Sequence, residues 1–431
     1  NFKGMGQENI NQSVNEYIRE SEDLHIIGID RGERHLLYLT LIDMKGNIKE
    51  QYSLNEIVNE YKGNTYRVDY HDLLEKREKE RMEARQSWQT IENIKELKEG
   101  YLSQVIHKIS QLMVKYHAIV VLEDLNTGFM RGRQKIEKQV YQKFEKMLID
   151  KLNYLTEKQK SPEELGGILN AYQLTSKFVS FQKLGKQSGF LFYTPAWNTS
   201  KIDPVTGFVN LFDTRYETRE KSRAFFGKFD FICYNADKDW FEFTFDYGKF
   251  TSKAEGTRTR WTLCTQGMRI ETYRDASKNS QWTSKSSDLT NLFKEFFAKH
   301  TISLDSNLKE AIANQDSKDF YEELLRLFRL TLQMRNSISN SEQDYLLSPV
   351  ADENGNFFNS EEEKLKGKDE YGNWKSSLPV DADANGAYNI ARKGLWMIRQ
   401  IKNASNLKKM NLAISNKEWL KFVQEKPYLD D

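Results

Sequence analysis

Residues 24–54 have the sequence LHIIGIDRGERHLLYLTLIDMKGNIKEQYSL, which contains two apolar runs. The apolar run at 24–30 predicts a short strand that is buried on both faces. A second apolar run at 35–43, rich in Leu, Tyr and Thr, predicts another strand. The turn sequence at 45–47, Lys-Gly-Asn, then lets 48–54 return as a third strand. Three consecutive strands with short connections predict an antiparallel meander.

The segment that follows the meander changes to a helical pattern. Residues 72–91 are dense in alternating charge, which is typical of a long exposed helix with i,i+4 ion pairs. An amphipathic stripe after Gly100 predicts a second helix, and AIVVL at 118–122 predicts a buried strand. A basic amphipathic helix at about 136–155 and a strand at 189–194 complete this part of the chain.

Residues 198–377 have a different composition, rich in aromatic residues, Gly and Asp. Short alternating strands such as WFEFTFDYGKF are followed by predicted helices near 286–300 and 306–335, and the polar stretch 342–377 predicts a surface loop. A last helix is predicted at 383–401. Three antiparallel strands followed by alternating helices and strands have the connectivity of the ribonuclease H-like fold. This is an α/β fold in which helices flank a mixed sheet.

The composition of the chain excludes several classes of protein. Its 431 residues include 13% aromatic residues, which are enough to build buried cores and argue against disorder. No apolar run reaches the roughly 18 residues of a membrane helix. Two cysteines, Cys233 and Cys264, are too few for a disulfide framework or a four-thiolate zinc site, so we expect a reduced, cytoplasmic setting. The first residue, Asn1, predicts a piece of a longer protein.

The formal net charge of +1 argues at first against a nucleic-acid-binding protein. The charges are segregated along the chain, however. Residues 126–202 hold 13 Lys and Arg against 6 Asp and Glu, whereas 342–370 hold 9 Asp and Glu against 3 Lys. The basic block, which has interleaved aromatic residues, predicts a surface that contacts a nucleic-acid backbone, although part of it is ordinary solvated helix face. The predicted contacts are Arg131, Arg133, Lys135 and Lys138.

Three carboxylates occupy places where a metal site could form. Asp30 ends the first predicted strand, Glu123 ends the AIVVL strand, and Asp383 lies in the first turn of the last helix. Strand ends and helix starts open onto one edge of an α/β sheet, and hard oxygen ligands are those that Mg²⁺ prefers. Taken one by one, these residues also fit a turn former, a strand end and a helix start beside a capping Asp381. The pattern alone leaves both interpretations open.

Seven stretches of sequence, several of them around these carboxylates, resemble the type V-A CRISPR effector nucleases, the Cas-twelve-a family, formerly called Cpf-one. The resemblance runs from about residue 10 to the C-terminus. The stretches are IIGIDRGERHLLYLTLID (26–43), EGYLSQVIHKI (99–109), VVLEDLNTGF (120–129), KQVYQKFEKMLIDKLNYL (138–155), SKIDPVTGFVN (200–210), LQMRNS (332–337) and DADANGAYNIARKG (381–394).

The resemblance implies a RuvC nuclease of ribonuclease H-like fold, with a bridge helix and an inserted α+β Nuc domain. The implied boundaries are RuvC segment I at 1–67, the bridge helix at 68–97, RuvC segment II at 98–197, the Nuc insertion at 198–377 and RuvC segment III at 378–431. The implied function is that of the nuclease part of an RNA-guided CRISPR effector. It hydrolyses DNA by a two-metal mechanism and cuts the non-target strand before the target strand. The recognition and wedge domains are expected upstream of this chain.

Carried over by position, the resemblance assigns the catalytic, metal-binding carboxylates to Asp30, Glu123 and Asp383. Arg335 matches the Nuc-domain arginine that the family needs for cleavage. By its pattern alone, it lies at the end of an amphipathic helix, where a cation simply favours the C-terminus. The remaining matches are Ser337 and Asp344, which line the same nucleic-acid cleft, and Trp88, a bridge-helix residue that contacts the recognition lobe in the family. Without that lobe, we expect Trp88 to be exposed or covered by a neighbouring chain.

The resemblance also implies the cofactor and the partners. Two Mg²⁺ ions are expected, for which Mn²⁺ can substitute. The expected partners of the full-length protein are target DNA and a guide CRISPR RNA, in the prokaryotic cytoplasm and without a membrane. One alternative remains, in which the fragment is only a non-catalytic nucleic-acid-binding module. A second, a sugar-kinase-like or actin-like ATPase, requires another Gly-rich phosphate turn, and we find none in the sequence.

Overall fold

The computed structural model describes residues 6–31, 36–70, 72–73, 76, 94–124, 135–156, 159–164, 167, 174–278, 281–336, 345–370 and 372–429. The first part of the chain contains α1 (Gln7–Glu20), β1 (His25–Asp30), β2 (Tyr38–Asp43), β3 (Ile48–Ser53), β4 (Glu56–Tyr61), β5 (Asn64–Asp69), α2 (Ile94–Lys115), β6 (Ala118–Glu123), α3 (Lys135–Leu152), β7 (Gln187–Ser188) and β8 (Leu191–Thr194). The second part contains α4 (Arg219–Gly227), β9 (Phe231–Asn235), β10 (Trp240–Asp246), β11 (Arg260–Cys264), β12 (Met268–Asp275), β13 (Gln281–Asp288), α5 (Leu289–Lys299), α6 (Leu308–Ala313), α7 (Lys318–Thr331), β14 (Arg335–Asn336), β15 (Tyr345–Ala351), β16 (Phe357–Asn359), α8 (Ser360–Lys364), α9 (Ala382–Asn403) and α10 (Asn416–Glu425).

A six-stranded mixed sheet with the strand order β3-β2-β1-β6-β8-β7 forms the centre of the molecule. Its first three strands pair antiparallel, which confirms the predicted meander. Strand β6 then pairs parallel with β1 on one side and with β8 on the other. Helices pack on both faces of this sheet, so the predicted α/β fold, a mixed sheet flanked by helices, is confirmed.

The central strands are apolar along their whole length because both of their faces are covered. In β1, Ile27 and Ile29 pack in a core that includes side chains of α2 and α3. The alternate residue Ile26 faces the opposite core, which includes side chains of α1, α9 and α10. The alternation places successive residues of each strand on opposite faces. Residues with the parity of Ile26, Gly28 and Asp30 therefore face α9.

A further core lies between residues 205 and 358, and Phe side chains dominate it. Its strands form two three-stranded sheets, β9-β10-β11 and β14-β15-β16, and the hairpin β12-β13. Helices α4 to α7 pack against them. The first seven residues of the pattern WFEFTFDYGKF form β10, where the burial alternates as the sequence predicts.

The prediction of a surface loop at 342–377 was wrong. The segment contains β15, whose residues 346–350 are buried, together with β16 and the short helix α8. Strand β15 is covered because it pairs with β14 on one side and with β16 on the other. The apolar residues Leu346, Leu347 and Val350 carry the signal, but acidic residues on both sides dominate the composition of the window.

Other elements differ from the sequence prediction in extent. The hairpin β4-β5 and the helices α1 and α10 were not predicted. The predicted helix at 306–335 is two helices, because α6 ends at Ala313 and Ser317 caps the start of α7. Most of the predicted bridge helix, Trp88 included, lies outside the described residues. Within the described part of the chain, no helix has the length and apolarity to span a membrane.

Candidate active site

Asp30 and Glu123 lie side by side at one edge of the central sheet. Asp30 is the last residue of β1 and Glu123 the last of β6, two strands that run parallel. The register pairs Ile29 with Leu122, so the next residue on each strand is the carboxylate. Both side chains have the parity of the α9 face, and each residue is only 8% exposed. The sequence prediction that the two strand ends converge is therefore correct in its geometry.

Asp383 reaches the same edge from the start of α9. The N-cap of this helix is Asp381, whose carboxylate accepts a hydrogen bond from the Ala384 backbone N–H at 2.7 Å. Asp381 therefore satisfies the helix terminus. Asp383 lies in the first turn and is 4% exposed. Of the two aspartates at the helix start, Asp381 caps the helix and Asp383 lies nearest the strand ends.

Helix α9 packs directly against β1 because both elements carry glycine where they meet. A Cβ on Gly28 would lie 2.2 Å from the Ala387 carbonyl oxygen. A Cβ on Gly386 would lie 2.0 Å from Oδ2 of Asp30. The absence of these two side chains lets α9 approach the strand and leaves room beside Gly386 for the Asp30 carboxylate.

The three carboxylates interact electrostatically. Burial raises the pKa of Asp30 well above its ordinary value, and the negative charges of Glu123 and Asp383 raise it further. The Arg31 backbone N–H, which donates to Asp30 Oδ1 at 2.8 Å, lowers this pKa, as does the charge of Arg335. A buried carboxylate with two like charges nearby is a favourable environment for a cation.

Arg335 lies beside the carboxylates, but it is not at a helix C-terminus. Helix α7 ends at Thr331, and Arg335 begins the short strand β14. Its Nη2 is 3.7 Å from Asp383 Oδ1, and its side chain is about one quarter exposed. The guanidinium therefore faces the carboxylate cluster from the 205–358 part of the chain while part of it reaches solvent. The alternative that Arg335 only stabilises the end of a helix is wrong.

Two buried interactions at this edge were not predicted. Thr199 Oγ1 donates to Glu123 Oε1 at 2.6 Å. Arg31 donates to Glu145 Oε1 at 2.6 Å and also to the backbone oxygen of Glu123. Glu145 is on α3, so this ion pair fixes that helix to the ends of β1 and β6. A sequence signal existed, because Glu145 interrupts the apolar face formed by Tyr141, Phe144 and Leu148.

The predicted nucleic-acid contacts lie mostly outside the described residues. This holds for Arg131, Arg133, Ser337 and Asp344. Lys135 and Lys138 lie on α3, where only their backbone is described and their side chains are not. The contacts at these six positions stay predictions.

The residues at this edge can be tested for their fit to a metal ion. Within the described ranges, no three His, Cys, Asp or Glu side chains are already grouped closely enough to hold a metal ion. The donor chemistry nevertheless fits a hard divalent cation, since the charges of Glu123 and Asp383 act on Asp30 and the Asp30 carboxylate has room beside Gly386. Binding would require the carboxylates to approach one another, which the mutual repulsion now opposes.

A comparison with known protein families agrees with this geometry. The family model of the RuvC nuclease domain matches residues 4–428, nearly the whole chain. The match includes both the central sheet and the 205–358 core.

Proposed function

The chain belongs to the RuvC nuclease domain family, and on this premise we propose that it is a divalent-metal-dependent endonuclease that hydrolyses DNA phosphodiester bonds. The supporting observation is that Asp30 and Glu123 end two paired strands at one edge of the sheet, where Asp383 enters from the first turn of α9. Arg335 lies beside them. These three acidic side chains come from separate segments of the chain and are buried near one another. Burial of like charges destabilises the fold, and a bound cation would offset this cost.

Asp30, Glu123 and Asp383 would hold the metal, for which we propose two Mg²⁺ ions, replaceable by Mn²⁺. When bound, such ions supply positive charge to the attacking and leaving oxygens of a phosphodiester. The chain's own residues prepare the site. The Arg31 backbone N–H orients Asp30, and Thr199 orients Glu123. These hydrogen bonds restrict the rotation of the two carboxylates.

Arg335 has the position and chemistry to bind the strand that is cut. A guanidinium makes paired hydrogen bonds to a phosphate, and this one is close to Asp383 and partly open to solvent. Its charge also lowers the pKa of Asp30, so it helps to keep that group ionised. We therefore assign Arg335 to the binding and orientation of the scissile phosphate.

The resemblance of the seven sequence stretches supports a more specific proposal. The chain would be the nuclease part of a type V-A RNA-guided CRISPR effector, with RuvC segments at 1–67, 98–197 and 378–431, a bridge helix at 68–97 and the Nuc insertion at 198–377. Guide RNA pairing would select the target, and the site would cut the non-target strand before the target strand. Trp88, Ser337 and Asp344 would contact the recognition lobe and the substrate.

A nuclease assay of the 431-residue chain tests the proposal. Labelled single-stranded DNA is incubated with Mg²⁺, with Mn²⁺ or with EDTA, and Asp30→Ala protein serves as the control. We expect metal-dependent products from the wild type and a loss of at least about a thousandfold in rate for Asp30→Ala. Binding of DNA without metal-dependent products would instead identify a non-catalytic binding module. Equal rates for both proteins would reject the assignment of Asp30.

A further inference from the structure

One face of α9 holds the loop that leads from β8 into the 205–358 part of the chain. Asn385, Asn389 and Lys393 follow one another at intervals of four residues, so they lie on the same face of the helix. All three are buried, and at most 1% of each is exposed. Polar side chains this deeply buried need hydrogen-bond partners, and the backbone of residues 195–202 supplies them.

The contacts between α9 and this loop extend over the whole of residues 195–202. The helix side chains donate, and loop carbonyl oxygens accept. The bonds are Lys393 Nζ to Pro195 O at 2.5 Å and to Trp197 O at 2.9 Å, Asn389 Nδ2 to Thr199 O at 2.8 Å, and Asn385 Nδ2 to Ile202 O at 2.9 Å. Helix α9 also carries Asp383, so the loop and this carboxylate are fixed to one element.

Thr199 is the residue of the loop that touches the carboxylate site. Its backbone oxygen is held by Asn389, while its hydroxyl donates to Glu123 Oε1 at 2.6 Å. Thr199 and Glu123 are both buried, at 6% and 8% exposure. A short hydrogen bond to a carboxylate in a buried setting restricts the rotation of that carboxylate.

We propose that Thr199, held by Asn389 on α9, is a positioning residue that sets the orientation of Glu123 for a divalent cation. The proposal rests on the proposed function, because it assigns Glu123 a ligand role. With Oε1 accepting this hydrogen bond, Glu123 would offer its other oxygen, Oε2, to a cation. Residues that orient metal ligands in this way typically change metal affinity by about 10- to 100-fold when they are removed. The hydrogen bonds from Asn389 to Thr199 and from Thr199 to Glu123 would thus link α9 to Glu123.

A purely structural role for Thr199 predicts a different result. If the hydroxyl only satisfies a buried carboxylate, its loss lowers the stability of the fold and leaves the affinity for metal unchanged. Thr199→Val removes the hydroxyl and keeps the shape of the side chain, whereas Thr199→Ser keeps the hydroxyl. Thr290→Val is the matched control, because Thr290 is a buried threonine that donates to the Thr265 carbonyl in the 205–358 core.

The experiment measures the binding of Mn²⁺ alone to the whole chain by calorimetry or by Mn²⁺ spectroscopy, beside the thermal midpoint of each variant. We expect Thr199→Val to bind Mn²⁺ about tenfold or more weakly than wild type, and Thr199→Ser to bind within about twofold. Thr290→Val should lose stability and bind Mn²⁺ like wild type. Thr199→Val with wild-type affinity, or Thr199→Ser as weak as Thr199→Val, overturns the proposal.

A substitution that loosens the 195–202 loop and leaves the Thr199 hydroxyl in place gives an independent check of the positioning role. Asn389→Ala releases the Thr199 backbone and leaves its hydroxyl, so it should also weaken Mn²⁺ binding if positioning matters. The same preparations are assayed for DNA cleavage. Wild-type protein that binds Mn²⁺ without cutting DNA rejects the proposed function and leaves the positioning role standing. Wild-type protein that cuts DNA but shows no Thr199 dependence of Mn²⁺ binding rejects the positioning role alone. Failure of the wild type to bind Mn²⁺ rejects both.

Discussion

The ionised side chain of Asp30 lowers the stability of the folded protein. Its pKa is raised by burial and then by Glu123 and Asp383. Since the folded-state pKa lies above the unfolded value, the folded protein holds the proton more tightly. The associated stability is present at low pH and is lost as the pH rises through the folded-state pKa. In its ionised form the buried Asp30 carboxylate therefore destabilises the metal-free protein.

We predict that Asp30→Asn abolishes cleavage and yet raises the stability of the metal-free protein. The amide has the same shape and carries no charge, so the repulsion from the other two carboxylates disappears. Removal of a buried charge that two like charges repel should raise the free energy of unfolding. Thermal unfolding in EDTA at pH 8 measures it, and the gain should shrink as the pH is lowered.

Asp43, at the end of β2, serves as a control because its pKa is shifted in the opposite direction from that of Asp30. Burial alone would raise its pKa, but hydrogen bonds from Asn47 and Lys49 outweigh this effect and lower the pKa. Stability from this group is therefore present above the unfolded pKa and is lost as the pH falls. Asp43→Asn should destabilise the protein at pH 8. A stabilising effect of both substitutions would show that the gain at Asp30 does not come from relief of repulsion.

At the scale of elements, the contact of α9 with β1 decides whether the carboxylates meet. A Cβ on Gly28 would lie 2.2 Å from the Ala387 carbonyl oxygen and 2.5 Å from the Ala391 backbone nitrogen. Both clashing atoms belong to the helix backbone, which cannot turn away as a side chain can. The helix would have to shift as a unit, and Asp383 would move with it.

We predict that Gly28→Ala lowers the free energy of unfolding by about 2–3 kcal/mol, within the range of overpacked cores, and also weakens metal-dependent cleavage. Gly100→Ala is the control, because Gly100 lies on α2 with nothing within 4 Å of its added Cβ. Alanine there should be neutral or stabilise the helix by about 0.5–1 kcal/mol. Chemical denaturation of both variants measures the difference, and an equal effect would exclude the close contact as the cause.

At the scale of the whole molecule, the sequence could predict what depends on local periodicity. The meander and the β6 strand have clear periods, and their ends at Asp30 and Glu123 follow from them. The start of α9 follows from the Asp381 cap. These elements carry all three carboxylates, so their positions could be predicted from local pattern, whereas their assignment as metal ligands came only from the resemblance.

Contacts between distant segments were not predictable in the same way. Thr199 meets Glu123 across 76 positions, and Arg31 meets Glu145 across 114. No local pattern marks such partners, since only the packed fold brings them together. The prediction of a surface loop at 342–377 was wrong for the same reason, because β15 is covered by its neighbours β14 and β16. Arg335 was singled out by the resemblance alone, and its local structure, a strand instead of a helix end, depends on this pairing.

The separation of the cores has a consequence for how the molecule unfolds. The 205–358 core and the cores on the two faces of the central sheet consist of different buried residues. Phe229 is fully buried in the first of them, where its ring contacts those of Phe212, Phe225, Phe226, Phe243, Phe245, Phe250 and Phe328. A cavity at Phe229 should therefore weaken this part first, because stability is distributed in local cooperative units.

We predict that Phe229→Ala destabilises the 205–358 part by about 3–5 kcal/mol, as expected for loss of a buried ring. Hydrogen exchange should become faster in α4, α7 and β10 and stay unchanged in β1 and β6. Phe231→Ala is the matched control, since that ring on β9 is 64% exposed and its loss should change stability by no more than about 0.5 kcal/mol. Equally faster exchange in β1 and β6 would mean that the molecule unfolds as one unit. In that case, loss of the ring would also disturb Asp30 and Glu123. If exchange stays local, damage to this part reaches the site through Arg335 and the 195–202 loop and leaves the sheet intact.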